Sequence, residues 1–143
     1  MKKLLIISAI GCLLMGFTLQ KESPVYTIPQ DPLKESIERG AEVYAEYCIQ
    51  CHLGKGEGLP NAIPPLAKSD WLTKDNITNS IRVVKYGQTG EITVNGKTYD
   101  SVMANLGLYE DEVADVMNYI LNNWGNSHDQ MITEEQVKKV TKE

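Results

Sequence analysis

The run Cys48-Ile49-Gln50-Cys51-His52 places two thiols three positions apart, with an imidazole directly after the second. Thiols at this spacing can form a disulfide, cycle as a redox dithiol, ligate zinc or bond covalently to a prosthetic group. A thioredoxin-type pair follows a strand and opens a helix within an alternating α/β pattern. Here the pair closes a helical pattern and precedes a glycine-rich loop. A closed zinc site takes four ligands. Cys48, Cys51 and His52 supply three, two of them adjacent in the chain, and the one other imidazole, His128, lies near the C-terminus. A plain disulfide suits an oxidising compartment.

Cys-x-x-Cys-His is also the attachment signature of c-type haem. The geometry explains the pattern: two thiols bond to the vinyl-derived positions on one porphyrin edge, and the following imidazole turns under the ring to the iron. With 3 Cys and 2 His in 143 residues, a chance match arises roughly once in a thousand chains. Haem is therefore the reading of this site, with Cys48 and Cys51 as attachment points and His52 as iron ligand.

The sixth ligand decides what such an iron does, because a closed six-coordinate haem transfers electrons and an open one binds small molecules. Of the five methionines, Met1 and Met15 sit in an apolar N-terminal segment, Met117 in an apolar helical stripe and Met131 in a polar C-terminal stretch. Met103 remains. An open or water-bound iron and ligation by His128 are the alternatives; otherwise His128 reads as a solvated tail residue.

The elements that must position these residues are legible. Asp31-Pro32 reads as N-cap and first helical residue. Ile37, Gly40, Ala41 and Tyr44 then recur at helical spacing and deliver Cys48 at the helix end. Leu53 to Pro65 carries three glycines and three prolines and is loop. A second helix spans Lys74 to Tyr86, with Ile77, Ile81 and Val84 on one face and Gly87 as its stop. Ile92 to Tyr99 reads as a hairpin, since Asn95-Gly96 suits a type I′ turn. The last strong helix runs Glu110 to Trp124, with a stripe of Val113, Val116, Met117, Ile120, Leu121 and Trp124 and acidic residues in its first turn. A polar tail follows Asn126, with a short helix capped by Thr133.

From about Leu33 to Gly125 the chain resembles the class I cytochrome c family. The segments "PPLAKSDWL" and "TGEITVNGKTYDSVM" are similar to small bacterial cytochromes and to cytochrome domains fused to copper nitrite reductases. The resemblance implies an all-α cytochrome c fold, three to five helices around one covalently bound haem c, with a small β-hairpin insertion. It implies that the first helix crosses the last through Gly40, Tyr44 and Tyr119. It implies that the Pro64 carbonyl accepts the second ring proton of His52, and that Met103 lies where the family carries its ligand methionine. Two departures stand out. The family usually has proline after that methionine, where Ala104 sits here, and commonly Ser or Thr at the cap held by Tyr109. Trp71 and Tyr99 flank the site, either hydrogen-bonding haem propionates or packing against the ring.

The N-terminus reads as targeting. Lys2 and Lys3 precede an uncharged run from Leu4 to Leu19, and Ala9 to Cys12 resembles a lipoprotein cleavage box, after which Cys12 would carry the lipid. An uncleaved anchor and simple secretion are the alternatives. Each places the domain outside the cytoplasmic membrane. The expected organisation is a targeting or anchor segment (1–23), a linker (24–32), the cytochrome domain (33–126) and a polar tail (127–143).

Net charge is −5, which disfavours nucleic acid as a partner. Residues 53–100, with six Lys/Arg against five Asp/Glu, are near neutral while the flanking helices are acidic. A mixed, weakly charged docking face is expected. The expected function is a monomeric electron carrier, not an enzyme, serving an oxidase, reductase or dehydrogenase. A haem enzyme or gas sensor is the alternative.

Overall fold

The computed structural model describes residues 31–142. The targeting segment, Cys12 and the linker up to Gln30 lie outside the described residues. Asp31 accepts a hydrogen bond from the Leu33 amide at 3.0 Å, and Pro32 opens α1 (Pro32–Val43). The helix continues through a π-helical turn, Tyr44–Cys48, into α2 (Ile49–His52). Single-turn 3₁₀ segments at Asp70–Leu72 and Lys74–Asn76 lead into α3 (Ile77–Tyr86), which Gly87 ends at φ 84°. The hairpin pairs β1 (Glu91–Val94) with β2 (Lys97–Asp100), and Asn95 and Gly96 take φ 51° and 72°, as a type I′ turn requires. Two further helices follow, α4 (Glu110–Leu121) and α5 (Glu134–Lys139).

The α4 stripe forms the floor of the core, with Val113, Val116, Met117 and Leu121 fully buried. Helix α1 crosses it at Gly40, where an added Cβ would fall 2.0 Å from the Asp115 carbonyl oxygen. One turn on, Tyr44, Tyr119 and Trp124 pack as three rings with centroids 4.9–5.4 Å apart. Trp124 is not the end of the helix, as its place in the stripe suggested. The Asn122 and Asn123 side-chain amides donate to the carbonyls of Asn118 and Tyr119, closing α4 at Leu121. Trp124 then takes φ 53°, which turns its ring onto the two tyrosines. At the other end Glu112 reaches back to the Tyr109 amide at 2.8 Å, supplying a cap contact that the Tyr109 side chain does not.

The stretch expected as a polar tail folds onto this core. Ile132, Val137 and Val140 are buried, and so is His128, which is not a solvated residue. Thr133 caps α5 as expected, with reciprocal bonds to Gln136. Asn118 on α4 is fully buried and pairs with both backbone groups of Ile132, each at 2.8 Å. Asn118 also donates to Ser36, which donates to Asp115, and Arg39 adds two bonds to the same carboxylate. One polar chain thus links α1, α4 and the C-terminal segment. Lys85 and Tyr86 of α3 donate to the carbonyls of Val137 and Val140, which anchors the far end of α5. Three apolar residues spread over nine positions make too sparse a pattern for a sequence-level stripe, so this docking becomes visible only with the partners in place.

Candidate cofactor site

The π turn gives the chain an extra residue before Cys48, with the Ile49 amide bonding back to the Tyr44 carbonyl. The Tyr44 ring is locked in the α1–α4 crossing, and its hydroxyl donates to the Leu53 carbonyl at 2.7 Å. This contact pins the chain just past His52, where Leu53 turns sharply at φ 62°. The loop then folds back, and Gly58 is needed there: a Cβ would come within 2.4 Å of the Ile63 carbonyl oxygen. That return brings the Pro64 carbonyl to 3.3 Å from His52 Nδ1.

With Nδ1–H directed at Pro64, the other ring nitrogen keeps its lone pair. Burial lowers the His52 pKa, while the Pro64 contact opposes the shift, so the neutral ring that a metal requires is favoured. Cys48 and Cys51 form no disulfide with each other. Burial, with a smaller contribution from Cys51, pushes Cys48 up to about 11, whereas Cys51 is exposed. Among the described residues no three or more His, Cys, Asp or Glu are grouped so as to hold a metal ion.

Cys48, Cys51, His52 and Met103 all line one cavity of about 300 Å³. Its remaining wall is chiefly apolar: Val83 and Val84 of α3, Ile92 and Val94 of β1, Met117 and Ile120 of α4. Met103 comes from the segment after the hairpin, and its backbone exchanges two 2.9 Å hydrogen bonds with Gln88. Met117 also reaches the wall, from a fully buried position in the core. His128 is not among the lining residues. Trp71 is, but its indole N–H donates to the Thr93 carbonyl at 2.7 Å and so ties the wall to the hairpin. Tyr99 is buried and does not line the cavity. Sequence reasoning missed Gln88, and it read Gly87 only as a helix stop and not as a contact of the Met103 segment; the signal was their place just before the hairpin.

The model of the cytochrome c family matches residues 37–124. The chain belongs to the cytochrome c family. Cytochrome c-552 of Thermus thermophilus is 38% identical over 109 residues, covering 71% of this chain and 82% of the relative. The cytochrome c subunit of the quinone alcohol dehydrogenase of Gluconobacter oxydans is 31% identical over 105 residues, and that of the gluconate 2-dehydrogenase of Pantoea cypripedii 30% over 109. The chain spans about a fifth to a quarter of those two subunits, 21% and 24%. Membership implies covalently bound haem c and a role in electron transfer, consistent with the helical fold and small hairpin. The residues present fit that group: two unpaired thiols at attachment spacing, an imidazole with one nitrogen already satisfied, and thioether and aliphatic walls around a single cavity.

Proposed function

We propose that the chain is a mono-haem electron carrier in which Cys48 and Cys51 hold the porphyrin through thioethers and His52 and Met103 ligate the iron. The observation that carries this reading is that all four residues line one chiefly apolar cavity, with His52 oriented by Pro64. When bound, the haem iron supplies one-electron cycling between Fe(II) and Fe(III). Pro64 fixes the His52 tautomer and strengthens it as a donor. Met103 adds a thioether, which as partner to histidine raises the potential relative to stronger ligand pairs. A chiefly apolar wall would leave little water to reorganise around the haem when its charge changes.

The relatives named as dehydrogenase cytochrome subunits support a redox protein such as a dehydrogenase as donor; an oxidase or reductase would accept. The N-terminal pattern supports a place on the outer side of the cytoplasmic membrane, with Cys12 lipidated or the segment retained as an anchor. Cell fractionation of a Cys12→Ala variant tests the lipid.

The decisive test of ligation compares Met103→Ala with Met117→Ala in the haem-loaded protein. Met103→Ala should abolish the far-red sulfur–iron absorption band and open the reduced iron to carbon monoxide. Met117→Ala should lower stability and keep the band. Ready carbon monoxide binding by the native reduced protein would point instead to a haem enzyme or gas sensor.

A further inference from the structure

We propose that the β-hairpin sets the position of the Met103 thioether by register, and that Gly87 and Gln88 are positioning residues for it. The inference rests on the reading of Met103 as an iron ligand.

The hairpin pairs Val94 with Lys97, Thr93 with Thr98, Ile92 with Tyr99 and Glu91 with Asp100. Stepping outward one residue on each side from Glu91 and Asp100 brings Gly90 to Ser101, Thr89 to Val102 and Gln88 to Met103. Gln88 and Met103 do form an isolated antiparallel bridge, after two positions where the ladder is open. Both bonds of a narrow antiparallel pair are present, Gln88 N–H to Met103 O and Met103 N–H to Gln88 O, each 2.9 Å. The residue facing Gln88 is therefore decided by the Asn95-Gly96 turn. A hairpin slipped by one residue would present Val102 or Ala104 instead and send the thioether to the other face.

Gly87 completes the seat. Its φ of 84° lets Gln88 leave α3 in the direction of the bridge, and a Cβ there would lie 2.6 Å from Met103 O and 2.9 Å from Asn105 N. The backbone of the Met103 segment thus passes where any side chain at position 87 would be. This arrangement does the stiffening that the family's usual proline would do next to the methionine, where this chain has Ala104. A loop held by two backbone bonds and a glycine contact does not need a proline to restrict it.

Gly90 supplies the control. It has φ 85°, almost the same as Gly87, but nothing within 4 Å of its would-be Cβ. Alanine at either position meets strain from a positive φ, at Gly87 with ψ 177°, a backbone that glycine alone takes readily, and only at 87 does it also press on the Met103 segment. In the haem-loaded protein, Gly90→Ala should retain the far-red sulfur–iron band at wild-type intensity. Gly87→Ala should lose it, or lose it on alkaline titration at a pH lower by about one unit, a roughly tenfold shift in that equilibrium, with a fall in midpoint potential. Gln88→Pro deletes the amide donor to Met103 O, together with the side-chain bond from Gln88 Nε2 to the Thr89 carbonyl, and should act in the same direction, so it tests the bridge beside Gly87→Ala. Bands, potentials and titration midpoints of both variants indistinguishable from those of Gly90→Ala would overturn the proposal. A band that survives Met103→Ala would instead remove the ligand reading beneath it.

Discussion

Gly40 of α1 and Asp115 of α4 approach so closely that a methyl group on the glycine would sit 2.0 Å from the aspartate's carbonyl oxygen and 2.9 Å from Tyr119 Cβ. The obstruction is mainly backbone, so it cannot be relieved by a rotamer change. Gly40→Ala should force the helices apart and cost about 1–3 kcal/mol, seen as a lower denaturation midpoint at unchanged slope. Gly54→Ala, where a Cβ meets nothing within 4 Å, should shift stability by no more than about 0.5 kcal/mol. Equal midpoints for the two variants would show that the crossing is looser than described.

Asn118 is the polar hinge between the cytochrome core and the C-terminal segment. Asn118→Ala leaves the Ile132 N–H and C=O buried without that partner and also removes a donor to Ser36. A loss of about 2–4 kcal/mol is expected. Limited proteolysis should cut the variant first between α4 and α5. Cleavage at wild-type sites and rates would count against the coupling.

Acid should act through His52. Its folded pKa lies below the ordinary 6.5 because of burial, so its contribution to stability is fully present above 6.5 and lost as pH falls through the lower folded value. Iron ligation works in the same direction, because the ligand must be neutral. The visible spectrum of the loaded protein should therefore hold constant from pH 8 to 6.5 and change only at lower pH. A ligand-loss transition centred above 6.5 would contradict the burial and orientation of the ring.

Covalent attachment gives the simplest chemical check. The mature protein denatured in guanidinium should keep its colour and react with no thiol reagent at Cys48 or Cys51. Cys51→Ser should leave one thioether at Cys48 and a haem still retained on denaturation. Haem extracted from the wild-type protein by acid solvent would refute attachment through these residues.

How much of this was legible beforehand depends on the range of the interaction. The Cys48–His52 motif, the Asp31-Pro32 start, the Asn95-Gly96 turn and the Gly87 stop are local rules satisfied by neighbours in the chain, and each stands where the sequence places it. Met103 was reached by eliminating the other methionines, yet Met117 also touches the cavity, because one helix can serve the core and the pocket wall together. The π turn was not legible, since it depends on where Tyr44 is held by Tyr119 and Trp124. The Asn118–Ile132 pairing and the burial of α5 were missed for a related reason. They satisfy backbone groups across the fold, and no periodicity announces them. Of the two roles expected for Trp71, the bond to a propionate is not the one its N–H makes, since that donor is used by Thr93, while the residue still lines the cavity.

The pairing of Gln88 with Met103 through the hairpin has an evolutionary corollary. Two residues added to, or removed from, each strand would alter how far the hairpin projects, preserve which side chains face inward, and still leave Gln88 opposite Met103. The rim of the molecule can thus be lengthened or trimmed to suit a new contact while the iron's surroundings stay constant. An odd or one-sided insertion has no such freedom, because it moves the sulfur itself.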